Sequence, residues 1–109
     1  MTQGWERVAR ADELAEGAQR PITVAGHDLI LCRSEGQVFA VENRCSHEYE
    51  RLLGGTMRKC TIVCPLHGAR FSLKTGMPFG PPAFERLLTF AVRESEDGHL
   101  EVATTPNAG

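Results

Sequence analysis

Residues 45–67 constrain the chain more than any other stretch. Cys45-Ser46-His47 and Cys64-Pro65-Leu66-His67 hold two of the four cysteines and two of the four histidines in 109 residues, with sixteen residues (48–63) between the pairs. Thiolate and imidazole at such spacing can meet one metal centre from two loops. A scaffold around them has to present both loops at once.

The flanking sequence supplies short strands rather than helices. Trp5 to Arg10, Arg20 to Val24, His27 to Arg33, Gln37 to Glu42, Thr61 to Cys64, Ala69 to Leu73, Leu87 to Glu94 and His99 to Ala103 each read as a strand between turn signals. Ala25-Gly26, Glu35-Gly36, Thr75-Gly76 and Asp97-Gly98 each offer a glycine able to take positive φ between antiparallel strands. Asp12 to Gly17 is the one helix-like piece, with Asp12 as N-cap and Gly17 as C′, and is read as a turn. With no room for crossover helices, the expectation is an all-β domain, a small antiparallel sandwich or barrel. Thr104 to Gly109 reads as a loose tail, and residues 1–109 as a single domain able to bury roughly 60–70% of its unfolded surface.

Composition excludes some partners. The net charge is −2, with no basic stripe for phosphates, so nucleic acid is not expected. The longest apolar run, Leu29-Ile30-Leu31-Cys32, is far shorter than the ~20 residues of a membrane span, and the start has no basic stretch leading into an apolar one. A cytoplasmic protein is expected, in which cysteines serve as ligands or buried thiols rather than disulfides.

Two centres fit the quartet: a tetrahedral zinc held by Cys2His2, or a 2Fe-2S cluster with two cysteines on one iron and two histidines on the other. The single residue between Cys45 and His47 strains a common zinc centre. Two irons side by side relax that demand, and the order Cys then His on both loops suits them.

The pattern Cys-x-His, sixteen residues, Cys-x-x-His, continued by "CPLHGARFSLKTGMPFGPPA", resembles the soluble Rieske-type ferredoxins of bacterial aromatic-ring dioxygenases. The resemblance covers nearly the whole chain. It implies the Rieske fold, with a cluster-binding subdomain of about residues 43–80 inserted between two strands of the β base. It further implies that Cys45 and Cys64 bind one iron through Sγ, and that His47 and His67 bind the other through Nδ1 and face solvent as the electron's entry and exit. Gly68 would let backbone approach the cluster, and Pro81-Pro82 would cover it.

Departures from the high-potential relatives also matter. Tyr49 and Leu66 stand where those proteins carry a disulfide, and Ala69 where they carry a serine that donates to a bridging sulfide. Fewer donors to sulfur leave the reduced cluster less stabilised, so the potential is expected near the low end of the Rieske range, roughly −150 mV.

Four protein ligands leave no open coordination position, so the expected role is electron carriage rather than catalysis. By the resemblance, the carrier takes electrons from a flavin-containing NAD(P)H reductase and passes them to a terminal Rieske oxygenase; with no oversized apolar patch evident, a monomer is expected. Glu48, Glu50 and Arg51 would form a mixed-charge rim, with weak electrostatic steering. The small Rieske subunit of another oxidoreductase, such as nitrite reductase, and a zinc-stapled binding module without redox function are the alternatives. Outside the quartet, His27 and His99 are expected at the surface, Cys32 as a buried hydrophobe, Cys60 as a structural or free thiol and Tyr49 as a packing residue. Phe39, Phe71, Phe84 and Phe90 are expected in the core.

Overall fold

Short antiparallel strands joined by two-residue reversals build the scaffold. The computed structural model describes residues 4–44, 51–65, 68–80 and 85–107. Within them the strands are β1 (Trp5–Arg10), β2 (Gln19–Val24), β3 (His27–Ser34), β4 (Gln37–Glu42), β5 (Thr56–Arg58), β6 (Thr61–Val63), β7 (Arg70–Ser72), β8 (Thr89–Phe90), β9 (Val92–Glu94) and β10 (His99–Ala103). Ala25 and Gly26 take φ of 50° and 83°, and Glu35 and Gly36 take 53° and 74°. Two successive left-handed residues match the twist of the strands they join, so β2, β3 and β4 follow one another as hairpins.

Three sheets result, in the orders β1-β10-β9, β2-β3-β4-β8 and β5-β6-β7. β4 and β8 are direct neighbours, Ala40 opposite Phe90 and Val41 opposite Thr89. The whole β5-β6-β7 sheet is therefore an insertion between two paired strands.

β3 explains how the parts are held. Leu29, Ile30, Leu31 and Cys32 are all fully buried. Period-two alternation sends them to different cores. Ile30 and Cys32 pack with Val41, Leu52, Ile62, Phe71 and Leu73 under the inserted sheet. Leu29 and Leu31 pack with Val24, Ala40, Phe90, Leu100 and Val102 on the opposite side. A continuous apolar run is what a strand covered on both faces requires.

Several expectations are corrected. Thr56–Arg58 is a strand the sequence did not signal. Leu87 to Glu94 is not one strand: β8 pairs with β4 while β9 pairs with β10, so the chain changes sheets at Ala91. The helix-like piece is a turn, as read, but its 3-10 turn is Ala11–Glu13 with Arg10 as N-cap, two residues before the expected Asp12, and the Glu13 carboxylate accepts the Arg10 N–H at 2.9 Å. In the C-terminal stretch the Thr104 and Asn107 N–H groups donate to Gly4 O and Thr89 O at 3.0 and 2.8 Å. His27 and His99 are half-buried rather than on the surface: the His27 ring lies 5.0 Å from that of Phe90, and His99 Nδ1 is 3.3 Å from the Asp97 carboxylate. Phe71 and Phe90 are core and Phe39 packs at its edge. Phe84 lies outside the described residues.

Candidate metal centre

Two segments have to converge if the quartet is to act together. The second is a hairpin loop. β6 ends at Val63 and β7 begins at Arg70, and between them the Cys64 N–H donates to Ala69 O at 2.7 Å while the Gly68 N–H donates to Cys64 O at 3.1 Å. Gly68 has φ +69°, and a Cβ there would meet nothing within 4 Å. That φ is the left-handed conformation that favours glycine.

The first segment is clipped at both ends. Asn43, 3% exposed, donates its N–H to Asp28 O at 2.9 Å and accepts the Leu53 N–H on Oδ1 at 2.9 Å. Gln19 on β2 reaches across, Nε2 donating to Gly55 O at 2.6 Å and Oε1 accepting the Gly54 N–H at 2.7 Å. A Cβ on Gly55 would lie 2.2 Å from Val63 O, so only glycine lets this end close against β6. Leu52, Cys64 and Ala69 then share one buried cluster, which brings the two segments to the same side of the inserted sheet.

Of the four expected ligands, Cys64 is described and is 1% exposed. Cys45, His47 and His67 lie outside the described residues, as do Glu48, Tyr49, Glu50, Leu66 and the Pro81-Pro82 cover. The surroundings suit a thiolate-and-sulfide group. Asn43 Nδ2, two residues before Cys45 in the chain, is buried without a hydrogen-bond partner among the described residues. Sulfur ligands offer acceptors only, so an orphan buried donor this near a ligand position in the chain is complementary in kind.

The other thiols are not part of this arrangement. Burial pushes Cys32 up to about 12, far from a ligating thiolate. Cys60 closes the β5–β6 turn with φ +61°, following Lys59 at +50°. It donates its N–H to Ser34 Oγ at 3.1 Å and its thiol to Ser34 O at 3.7 Å, while its own carbonyl accepts the Leu73 N–H at 2.8 Å. That residue joins the inserted sheet to the β3–β4 hairpin. Asn43, Gln19 and Ser34 were not singled out from the sequence, because their partners lie 10 to 36 residues away.

Comparison with known proteins gives this geometry a context. Residues 4–92 match the family model of the Rieske [2Fe-2S] domain. The ferredoxin component of a naphthalene 1,2-dioxygenase system from Pseudomonas aeruginosa is 33% identical over 93 residues, 85% of this chain and 89% of that one. A structure described as a complex of reduced oxygenase and oxidized ferredoxin in carbazole 1,9a-dioxygenase superposes with TM-score 0.88 at 32% identity, over 96% of this chain and 97% of the other. A putative NADH-dependent nitrite reductase small subunit from Mycobacterium tuberculosis superposes with TM-score 0.86 at 20% identity, over 96% and 98%, a likeness of fold alone.

Proposed function

The chain belongs to the Rieske [2Fe-2S] domain family, and from that membership we propose that it is the ferredoxin component of an aromatic-ring dioxygenase system, a one-electron carrier with one 2Fe-2S cluster per chain. The observation that carries this reading is the inserted β5-β6-β7 sheet, with Cys64 buried at its hairpin loop and the flanks of the first ligand segment packed into the same cluster. Cys45 and Cys64 would hold one iron and His47 and His67 the other. The cluster supplies one-electron redox chemistry and no site for substrate.

The chain's own residues fix and shield that centre. Asn43 and Gln19 tie the first segment to β2 and β3, and the Cys64–Ala69 and Gly68–Cys64 hydrogen bonds fix the second. The packing of Leu52, Ala69 and Phe71 excludes water from the inner side. Residues 43–80 form the cluster-binding subdomain. Electrons come from a flavin-containing NAD(P)H reductase and go to a terminal Rieske oxygenase, relatives of the chain being found with an oxygenase. The carrier is taken to be a cytoplasmic monomer; no helix among the described residues is long and apolar enough to cross a membrane.

The test is a low-temperature EPR spectrum of the dithionite-reduced protein. A rhombic signal with average g well below that of all-cysteine ferredoxins supports histidine ligation. A silent, colourless, folded protein with bound zinc overturns the reading in favour of a non-redox binding module, and copurification with a large reductase subunit would make it a fixed subunit instead. The double variant His47→Cys/His67→Cys should lose the Rieske signal; an unchanged spectrum would refute the ligand set.

A further inference from the structure

The net charge of −2 conceals a division along the chain. Residues 51–80 hold five basic residues, Arg51, Arg58, Lys59, Arg70 and Lys74, and no carboxylate, while the remainder sets seven basic residues against all fourteen acidic ones. The segment that bears the second ligand pair is thus +5 and the rest of the chain −7.

Three of those cations share one face. In the β5-β6-β7 sheet Met57, Ile62 and Phe71 are opposed in register and pack inward. The opposite face is a shallow concavity of about 290 Å³ lined by Thr56, Arg58, Lys59, Thr61, Val63 and Arg70. Among the described residues no carboxylate pairs with Arg58, Lys59, Arg70 or Lys74, whereas Arg7, Arg10, Arg20 and Arg93 elsewhere all have acidic partners.

Apolar groups lie on the same edge. Met77 and Phe79 are 52% and 57% exposed, the large hydrophobic side chains most open to solvent among the described residues. They run beside β7, the Ser72 N–H donating to Met77 O at 2.9 Å and the Phe79 N–H to Arg70 O at 3.0 Å. Exposed apolar side chains with a charged surround are the anatomy of a transient protein interface. The face also adjoins the ligand loop: Val63 and Arg70 are cross-strand partners, next in the chain to Cys64 and Ala69. The row containing Arg58 is two residues further, ~7 Å.

We propose that this face docks the protein that delivers the electron, through an acidic surface around that donor's redox cofactor. The proposal rests on the carrier reading above. A carrier must leave its donor when reduced and its acceptor when oxidised. An electron taken up between the ligand segments adds one negative charge beside the face that carries Arg58, Lys59 and Arg70. Attraction to an acidic surface therefore weakens on reduction, which assists release from a donor and opposes docking to an acceptor.

The experiment titrates oxidised and dithionite-reduced holoprotein against its NAD(P)H-oxidising flavin reductase at low and high salt, comparing wild type with Arg58→Glu/Arg70→Glu. Oxidised wild type should bind several-fold more tightly than reduced. The double reversal should weaken low-salt binding about tenfold or more, with the gap closing at high salt, where charges are screened within ~3–5 Å. Its EPR signal and direct reduction by dithionite should stay as in wild type. If the double reversal does not fold, Arg58→Gln/Arg70→Gln should show about half the effect on a logarithmic scale. Unchanged affinity in a folded variant, or tighter binding of the reduced form, overturns the docking proposal while the carrier reading stands. A wild-type holoprotein with a Rieske signal that no such reductase binds or reduces would remove both.

Discussion

The Leu53 N–H donates a 2.9 Å hydrogen bond to the side-chain Oδ1 of Asn43, ten residues earlier. One amide thereby closes the excursion that contains the first ligand pair. Asn43 is itself held by its N–H to Asp28 O at 2.9 Å. Asn43→Ala removes the acceptor and leaves the Leu53 N–H unsatisfied in a partly buried setting, at about 1–3 kcal/mol. Denaturant unfolding of the holoprotein should show that loss, together with faster bleaching of the cluster's visible absorbance. Stability equal to wild type would mean that the loop is held elsewhere.

Gly55 gives a sharper case, since its missing side chain matters by contact rather than by φ. A Cβ would lie 2.2 Å from Val63 O and 3.0 Å from Leu52 O, both backbone atoms that cannot swing aside. Gly55→Ala must push β5 from β6 and strain the Gln19 clip. The expected cost is about 3 kcal/mol, the upper end for overpacking. A urea midpoint within error of wild type would show that the loop yields more readily than its contacts suggest.

How far the sequence could be read depended on whether the determinant was local. β1, β4 and β10 begin and end where turn dipeptides and alternation place them, because a left-handed glycine or a period-two pattern is written in adjacent residues. The buried run of β3 was equally plain. β5 was not: Thr56-Met57-Arg58 is a strand through its pairing with β6, and its turn uses Lys59-Cys60 where a glycine would have signalled a reversal. The break at Ala91 is set by two sheets competing for one segment. In the metal centre, residue types and spacing were legible, while the clips from Asn43, Gln19 and Ser34 depend on tertiary approach. The charge division was present in the sequence too, but a net charge averages it away.

Turn chemistry leads to a stabilising change. Ala25 sits at φ 50° ahead of Gly26 in the β2–β3 reversal, a conformation that Asn adopts more readily than Ala. Ala25 is exposed, so substitution disturbs no packing. Ala25→Asn should add about 0.5 kcal/mol, a rise of roughly 2–4 °C in the midpoint of a thermal scan. A fall would contradict the left-handed assignment at this position.

Cys32 ties stability to alkaline pH. Burial raises its thiol from about 9 to about 12, so the folded state keeps the proton that an unfolded chain releases above 9. Its contribution is full below pH 9 and is lost as the pH rises toward 12. Cys32→Ala should flatten that part of the stability profile, at the expense of a small cavity. Native holoprotein at pH 8.5 should leave Cys32 unlabelled by iodoacetamide until it is unfolded; labelling at the rate of a free thiol would show the site to be open.

Ala69 links the loop to the potential. It is fully buried, its carbonyl accepts the Cys64 N–H at 2.7 Å, and its side chain is a methyl where a hydroxyl would be a donor. Donors to cluster sulfur stabilise the reduced, more negative state and raise the potential. The wild-type protein should therefore titrate near the low end of the Rieske range, roughly −150 mV, and Ala69→Ser should move it upward. The burial of an extra hydroxyl costs about 1–3 kcal/mol if it finds no acceptor, so the stability of the variant is read alongside. A raised potential with little loss of stability means that the new hydroxyl donates to sulfur. An unchanged potential with a marked loss means that the hydroxyl stays within the Leu52 and Phe71 cluster, where Ala69 packs, and that the potential is set by other donors.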